Sequence, residues 1–539
     1  MAEKSSFGID SVVLGKLDFE LANERIMADL RSDFILAPHL SCVYADSFEQ
    51  LQSEVSGLLS SGKFSPQLPI TIEVPKKQRF PHVGIKRQPP NFTRPGGILL
   101  PQDRLLLQVL ADNGQKVVDA KLDRTVCFSQ QPAVTHKNSR MFKSSRDCWG
   151  QMQAKLRDYL DPKYPVVLRA DVAACFQSIN QHTLVNMLEG GGFKKELVKP
   201  LESMLTQMTI SRSSRGILQG IFPSDLFGNF YLYPIDRYFA DKNIPAVRYV
   251  DDIYAFFTSN EACDRSILEL FKELRKLDLH LNEAKSCITT PLGLLTADPD
   301  LDKLFSLAVA EIEKTSLAIS EEEVFTDYGF QTIWLEEKSE LTDAEITLLA
   351  TEKLFDQAAR YPSNVEEIER FCLPIFSRFN SEYALEHVLQ HIENNPSMSQ
   401  IYFNYLSKFL DQEKVHQKIG QVIKERRLLF DWEYQWAIAC VIQFKTVEDS
   451  MVSDLLSLAS SQTHDSVKAL ALIAAAKHGD YDRQKTVSEA AQSIDSTYVR
   501  GAILFGARFM HKALRKNTLD VLANQNPLFN MIGNSVKTH

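Results

Sequence analysis

Two adjacent aspartates between strand-like segments constrain the fold of this chain more than any other feature. Asp251 and Asp252 lie between the aromatic and branched segment 247–250 and the apolar segment 253–257. This pattern predicts two short buried strands joined by a tight turn, with both carboxylates exposed at its tip. Further upstream, another apolar segment ends at Asp171. If the two strand ends lie side by side in one sheet, Asp171 and Asp251 would face the same divalent cations.

An Asp-Asp pair alone is common in solvated turns, so the order of the surrounding segments carries more information. Four segments resemble palm motifs A to D of reverse transcriptases, in order and at ordinary spacing: Asp171-x4-Phe176, Leu218-Gln219-Gly220 with Pro223-Ser224, Tyr249-x-Asp251-Asp252, and Leu281-Asn282-x2-Lys285. The resemblance covers roughly residues 70 to 290. It implies an α+β fold with the fingers and palm of a right-hand polymerase.

The resemblance assigns the chemistry to oxygen ligands. It implies that Asp171, Asp251 and the backbone carbonyl of Val172 hold two ions of Mg²⁺ or Mn²⁺ per site, since hard cations prefer oxygen. One ion would activate the attacking hydroxyl, and the other would stabilise the leaving pyrophosphate. Asp252 would help to position metal or primer; its alternative role is that of a solvated turn residue.

Three further residues are assigned around the nucleotide by the same resemblance. Phe176 would be an aromatic steric gate that excludes a ribose 2′-hydroxyl, and its alternative role is a core residue at a helix start. Gln219 would lie in the turn that packs beside the nucleotide. Lys285 would donate a proton to the leaving pyrophosphate, unless it is a lysine of a helix surface.

A basic pair is expected to hold the incoming triphosphate. Arg87 and Arg94 match this pair in the resembling family, and a guanidinium suits the task because it binds phosphate oxygens bidentately. Lys76 or Lys77 are the competing choice, and solvated surface charge is the alternative for all four residues.

Composition is that of a soluble protein with limited contact to nucleic acid. Apolar residues make up 44% and charged residues 24% of the 539 residues, and the formal net charge is −9. Because Lys and Arg contacts to phosphate supply most of the affinity for nucleic acid, this balance predicts contact confined to the active cleft. The eight cysteines are dispersed, which indicates a reducing cytosol. No segment is apolar enough for a membrane span, so we expect a cytoplasmic protein.

Three parts are expected along the chain. Residues 1–60 form an N-terminal extension and residues 61–300 form the reverse-transcriptase-like fingers and palm. Residues 301–539 are poor in glycine and proline and show helical apolar spacing, with similar helix starts near residues 431, 465 and 496. This predicts an all-α, HEAT-like domain in place of a thumb, with an ordinary helical bundle as the alternative.

In architecture and charge the chain resembles the abortive-infection (Abi) group of bacterial reverse-transcriptase-like phage-defence polymerases. This resemblance implies template-independent synthesis from deoxynucleoside triphosphates within a homo-oligomer, triggered by a phage protein. The single-stranded DNA product would stay attached to a priming tyrosine. Tyr44 is the first choice for the primer, because it lies in a non-periodic N-terminal segment, and the alternative is a tyrosine of the helical domain that folds back over the cleft.

Two other functions stay open. One is a templated RNA-directed DNA polymerase of the retron or group II intron type. The other is a catalytically silent palm whose helical domain is a phage-sensing scaffold. The presence of Asp171, Asp251 and Asp252 argues against the silent palm, because a decayed site would have lost carboxylates.

Overall fold

The fold comes from a computed structural model that describes residues 6–30, 33–81, 84, 89–133, 140–209, 214–297, 301–315, 322–326, 329–333 and 342–537. The chain divides into two compact units. The first comprises Met1–Phe34, Val43–Thr71 and Gly96–Ala297, and the second comprises Ile35–Cys42, Ile72–Pro95 and Asp298–His539. The division at residues 60 and 300 stays a prediction.

The first unit contains most of the N-terminal helices. They are α1 (Ser11–Leu14), α2 (Phe19–Asp29), α3 (Pro38–Asp46, which begins in the second unit), α4 (Phe48–Ser60), α5 (Pro101–Lys121), α6 (Ser145–Asp158), α7 (Cys175–Ser178), α8 (Gln181–Gly190), α9 (Lys195–Gln207), α10 (Phe222–Tyr231), α11 (Tyr233–Asp241), α12 (Asn260–Lys276) and α13 (Pro291–Ala297). Residues 222–241 form two successive helices, α10 and α11, and not one continuous helix. Pro234 lies in the first turn of α11, where a missing N–H is tolerated. In the interior of one continuous helix, the same proline would break the helix.

Two strands precede α5. β1 (Ile70–Arg79) and β2 (Asn91–Ile98) form a two-stranded sheet.

A four-stranded antiparallel sheet positions the candidate site. It consists of β3 (Val166–Asp171), β4 (Ala246–Tyr249), β5 (Asp252–Phe257) and β6 (Cys287–Thr289), in the order β4-β5-β3-β6. One apolar cluster on the sheet includes Val167, Val247 and Phe256 from the strands and Met152 from α6. Alternate apolar side chains of the strands therefore anchor the sheet. β6 is an edge strand, and its Cys287 is the one exposed cysteine; the other seven are buried.

The second unit is mainly helical after residue 300. Its helices are α14 (Leu301–Thr315), α15 (Asp343–Asp356), α16 (Val365–Arg378), α17 (Leu385–His391), α18 (Ser399–Leu406), α19 (Glu413–Lys424), α20 (Asp431–Gln443), α21 (Asp449–Ser460), α22 (Asp465–His478), α23 (Tyr481–Ala490), α24 (Thr497–Gly506), α25 (Lys512–Leu522) and α26 (Pro527–Lys537). The predicted helix starts near 431, 465 and 496 are confirmed. α22 packs against α20, α21 and α24, so helices separated by one neighbour in the chain contact each other.

One part of this region is not helical. β7 (Glu322–Thr326) and β8 (Gly329–Ile333) form an antiparallel pair, so the prediction that residues 301–539 are all-α is wrong here. Their sequences are rich in branched and aromatic residues, which favour strands. Across the described residues, each helix is too short or too polar to cross a bilayer.

Candidate active site

The adjoining ends of β3 and β5 bring the carboxylates together. Asp171 and Asp252 are register partners of the antiparallel pair, which confirms that both strand ends share one sheet. Asp251 lies in the turn between β4 and β5, and its carbonyl accepts a 3.1 Å hydrogen bond from the amide of Val172. Asp252 is the first residue of β5. Asp251 and Asp252 are both half-buried, not exposed as predicted.

The segment after α12 returns to β3 and completes the cluster. The amide of Asn282 donates to the Asp171 carbonyl at 2.7 Å, and the Asp171 amide donates to Ser286 Oγ at 3.2 Å. These bonds place Lys285 Nζ 2.8 Å from Asp171 Oδ1. Burial opposes the charge of Lys285, but its bond to Asp171 and the nearby aspartates outweigh burial and raise its pKa. Lys285 is therefore a protonated ammonium group.

Three carboxylates in one place repel one another. Burial, followed by the charges of Asp251 and Asp171, raises the pKa of Asp252 to about 7. A divalent cation would relieve this repulsion, and carboxylate oxygens are the ligands that Mg²⁺ prefers, so the chemistry of these oxygens suits the ion. Within the described part of the chain, no group of three or more His, Cys, Asp or Glu side chains is arranged to hold a metal. In this arrangement Lys285 Nζ donates a hydrogen bond to one carboxylate oxygen of Asp171.

A buried polar network supports the turn from behind. Arg248 is completely buried and donates to both oxygens of Asp236 at 2.6 Å. Its Nη1 also donates to Asn229 Oδ1 and to the Val250 carbonyl, each at 2.8 Å. Ser129 closes the network, because its Oγ donates to Asn229 Oδ1 at 3.1 Å and accepts from the Val250 amide at 3.0 Å.

The network holds a backbone conformation that the sequence itself disfavours. Val250 has a φ of +52°, and a β-branched residue rarely adopts the left-handed region. Both the amide and the carbonyl of Val250 are fixed by network side chains. The surrounding contacts therefore determine the turn that presents Asp251.

Phe176 lies between the elements that carry motifs A and B. It belongs to α7 and is half-buried, and its carbonyl accepts a 2.9 Å hydrogen bond from the Ile217 amide. Its ring lies against Gly228 of α10, where an added Cβ would come within 2.8 Å of the ring. Glycine at position 228 therefore allows the close approach, and the role of Phe176 as a gate stays a prediction.

The turn that contains Gln219 packs against the end of β2. Gln219 forms a β-bridge with Gly96, and a Cβ on Gly97 would lie 2.4 Å from the Leu218 side chain. Gly220 has a φ of +88° with the Phe34 ring against it. Glycine is required here both by the backbone conformation and by the lack of space.

Arg94, Arg87 and Tyr44 are the remaining predicted site residues. Arg94 is an exposed residue of β2 in the second unit, and Arg87 lies outside the described residues. The segment of Tyr44, expected to be non-periodic, is helix α3. The Tyr44 side chain is 3% exposed, and burial raises the pKa of its hydroxyl far above the usual value.

The palm geometry agrees with a comparison with known families. Residues 94–317 match the family model of reverse transcriptases (RNA-dependent DNA polymerase). This segment is a reverse-transcriptase-like polymerase domain. It contains all three aspartates together with Phe176 and Lys285. No curated protein matches the chain.

Solved structures similar to the chain include two telomerases. Telomerase from Candida albicans in complex with a TWJ fragment of telomeric RNA has 10% sequence identity and a TM-score of 0.30, over 72% of this chain and 65% of that chain. Apo telomerase from Candida tropicalis has 10% sequence identity and a TM-score of 0.28, over 90% of this chain and 74% of that chain. The chain thus spans less than two thirds of the first telomerase. The assignment of the polymerase domain rests on the family match.

Sequence reasoning missed the network around Arg248. An arginine between Val247 and Tyr249, inside a strand that must be buried, is a signal that could have been used. A charge on such a strand requires a buried partner. The partner, Asp236, lies on α11, and the spacing of apolar residues along the chain does not indicate which helix residue pairs with a strand residue.

Proposed function

We propose that this chain is a DNA polymerase that adds deoxynucleotides by two-metal nucleotidyl transfer. The observation that carries the proposal is the convergence of Asp171, Asp251, Asp252 and Lys285 at one end of a sheet within the polymerase domain. Asp171, Asp251 and the Val172 carbonyl would hold Mg²⁺ or Mn²⁺. Bound there, the ions would activate the attacking hydroxyl and neutralise charge on the leaving pyrophosphate.

The chain's own side chains supply the rest of the chemistry. Protonated Lys285 would donate its proton to the pyrophosphate oxygen, after its bond to Asp171 is released. Phe176 would exclude a 2′-hydroxyl from the sugar pocket, and Gln219 would pack beside the nucleotide. Arg87 and Arg94 would bind the triphosphate.

We further propose that synthesis is primed by the protein, needs no template and serves antiphage defence in a homo-oligomer. Two features support this proposal. A net charge of −9 disfavours binding along a long nucleic-acid duplex. The helices after residue 300 would form a HEAT-like domain in place of a thumb. Tyr44 stays the first predicted primer, although its hydroxyl would have to leave a buried position. A phage protein would be the trigger.

Incorporation of labelled nucleotides tests the catalytic proposal. Purified protein is incubated with Mg²⁺ or Mn²⁺ and labelled deoxynucleoside triphosphates, and compared with Asp251→Asn. The variant should lose incorporation, because the amide keeps the shape of the side chain but not its charge. Asp241→Asn is the matched control, since this aspartate is exposed on α11. Equal activity of Asp251→Asn and wild type would remove the assignment. No incorporation by either protein would favour the silent scaffold.

Omitting template and primer tests the finer proposal. The product should then stay with the protein through SDS and boiling, and DNase should return the band to protein size. Mass spectrometry of the digested product would identify the modified tyrosine, with Tyr44→Phe as the first variant. DNA that forms only on an added template–primer, and runs free of protein, would instead establish a templated RNA-directed or DNA-directed polymerase.

A further inference from the structure

Two exposed aromatic rings lie together on the β1–β2 hairpin. Phe80, which follows β1, and Phe92 of β2 stack with ring centroids 4.0 Å apart and an interplanar angle of 24°. They are 48% and 39% exposed. A single exposed apolar side chain needs no explanation, but two stacked rings offer a flat apolar surface to solvent.

The hairpin that carries these rings is basic in an acidic chain. Residues 70–98 contain six basic residues and one acidic residue, whereas the whole chain has a net charge of −9. Phe92 and Arg94 are both exposed and lie on the same face of β2, because they are two residues apart on a strand. Arg79 donates to the carbonyls of Pro89 and Asn394 rather than to a carboxylate.

Not every cation of the hairpin is available. Lys77 forms an ion pair of 2.6 Å with Glu367, so its charge is compensated on the protein itself. Five other basic residues and one acidic residue remain in segment 70–98, so the hairpin keeps an excess of positive charge. A flat apolar surface beside such charge is complementary to a base and its phosphate.

We infer that Phe80 and Phe92 form a stacking site for the bases of single-stranded nucleic acid. Every base has a π face, so aromatic side chains bind single strands without reading their sequence, while neighbouring cations bind the phosphates. The inference deepens the proposed polymerase function by naming a surface that holds the strand being copied or made. The identification of this strand as the one being copied or made rests on the proposed function. The binding test of the site does not depend on that function.

Binding of a labelled strand without nucleotides tests the site. Fluorescence anisotropy would compare wild type with the Phe80→Ala/Phe92→Ala double variant, using a short fluorescein-labelled oligodeoxyadenylate. Loss of stacking on one base should weaken binding about 5- to 150-fold. Tyr481→Ala is the matched control, because it removes a ring that is 47% exposed on α23, and it should bind as the wild type does.

An abasic strand of the same length separates stacking from charge. Wild type should bind it more weakly than the oligodeoxyadenylate, whereas the double variant should bind the two strands alike. Phe80→Trp/Phe92→Trp should keep the preference for bases and show quenched tryptophan fluorescence on binding. These results would also show that loss of binding in the alanine variant is not loss of fold.

Three results would overturn the inference. The first is equal affinity of wild type and alanine variant, including the case in which neither binds. The second is an equal loss of affinity in the alanine variant for the oligodeoxyadenylate and for the abasic strand. The third is a change in sedimentation from oligomer to monomer without a change in strand affinity, since the rings would then contact a second copy of the chain. Asp251→Asn should bind strands normally, so failure of polymerase activity is distinguished from failure of this site.

Discussion

Replacing Arg248 by Met tests whether the buried network holds the turn that presents Asp251. The wild-type guanidinium makes bonds of 2.6 Å to both oxygens of Asp236 and of 2.8 Å to Asn229 and Val250. Methionine fills much of the space but leaves the Asp236 carboxylate, itself 1% exposed, without a cation. Removing one partner of a buried ion pair costs about 3–5 kcal/mol, so we expect the unfolding free energy to fall by that amount.

A double variant separates stability from positioning. Arg248→Met/Asp236→Leu also removes the unpaired Asp236 carboxylate. Replacing both partners of a buried ion pair by apolar residues often leaves the unfolding free energy unchanged. Most of the lost unfolding free energy should therefore return. The Val250 carbonyl still lacks its donor, and its backbone conformation costs about 1–3 kcal/mol that the network no longer offsets. The turn should relax, and nucleotide incorporation should stay low.

Urea unfolding followed by circular dichroism gives the stability, and steady-state incorporation of nucleotides gives kcat and KM. Displacement of Asp251 should lower kcat more than it raises KM, because the triphosphate contacts are unchanged. Arg237→Met, which removes an exposed arginine of α11, is the matched control and should change neither measurement. Recovery of stability and kcat together in the double variant would show that the network serves folding alone. A single variant as stable as wild type would refute the ion-pair argument itself.

The other predictions concern single side chains. Phe176→Val should raise incorporation of ATP relative to dATP, and an unchanged ratio would make Phe176 a core residue only. Lys285→Ala should lower the single-turnover rate about 10²- to 10⁴-fold if the lysine donates a proton; a rate near that of wild type would leave it the role of a partner of Asp171. Burial lowers the pKa of His39 from 6.5 to about 3, and neither ring nitrogen has a hydrogen-bond partner. Its contribution to stability is therefore present above pH 6.5 and lost as the pH falls towards 3, by about 1.4 kcal/mol per unit. His39→Phe should lose this part of the acid sensitivity in urea unfolding at a series of pH values, and identical pH profiles would contradict the assignment.

The palm could be predicted because its signals are local. Alternating apolar residues around Asp251 and before Asp171 indicate strands, and a shared sheet follows once both strands end in carboxylates. The helix break near Pro234 has an equally local cause.

Long-range contacts set what could not be predicted. Tyr44 is buried beside the charges of Arg104 and Asp33, and the local sequence gives no sign of them. Arg104 pairs with Asp29 and Asp33, which lie far from it in the chain. Burial of a polar residue depends on such partners, whereas its position in a helix or strand depends on its neighbours.

The edge strand β6 gives the palm a natural attachment point for probes. Cys287 is its first residue and pairs in register with Arg169 of β3, two residues before Asp171. Because the other seven cysteines are buried, a maleimide dye should react with one thiol per chain of native protein. A fluorophore or spin label could therefore report nucleotide binding and strand synthesis next to the carboxylates without any engineered cysteine.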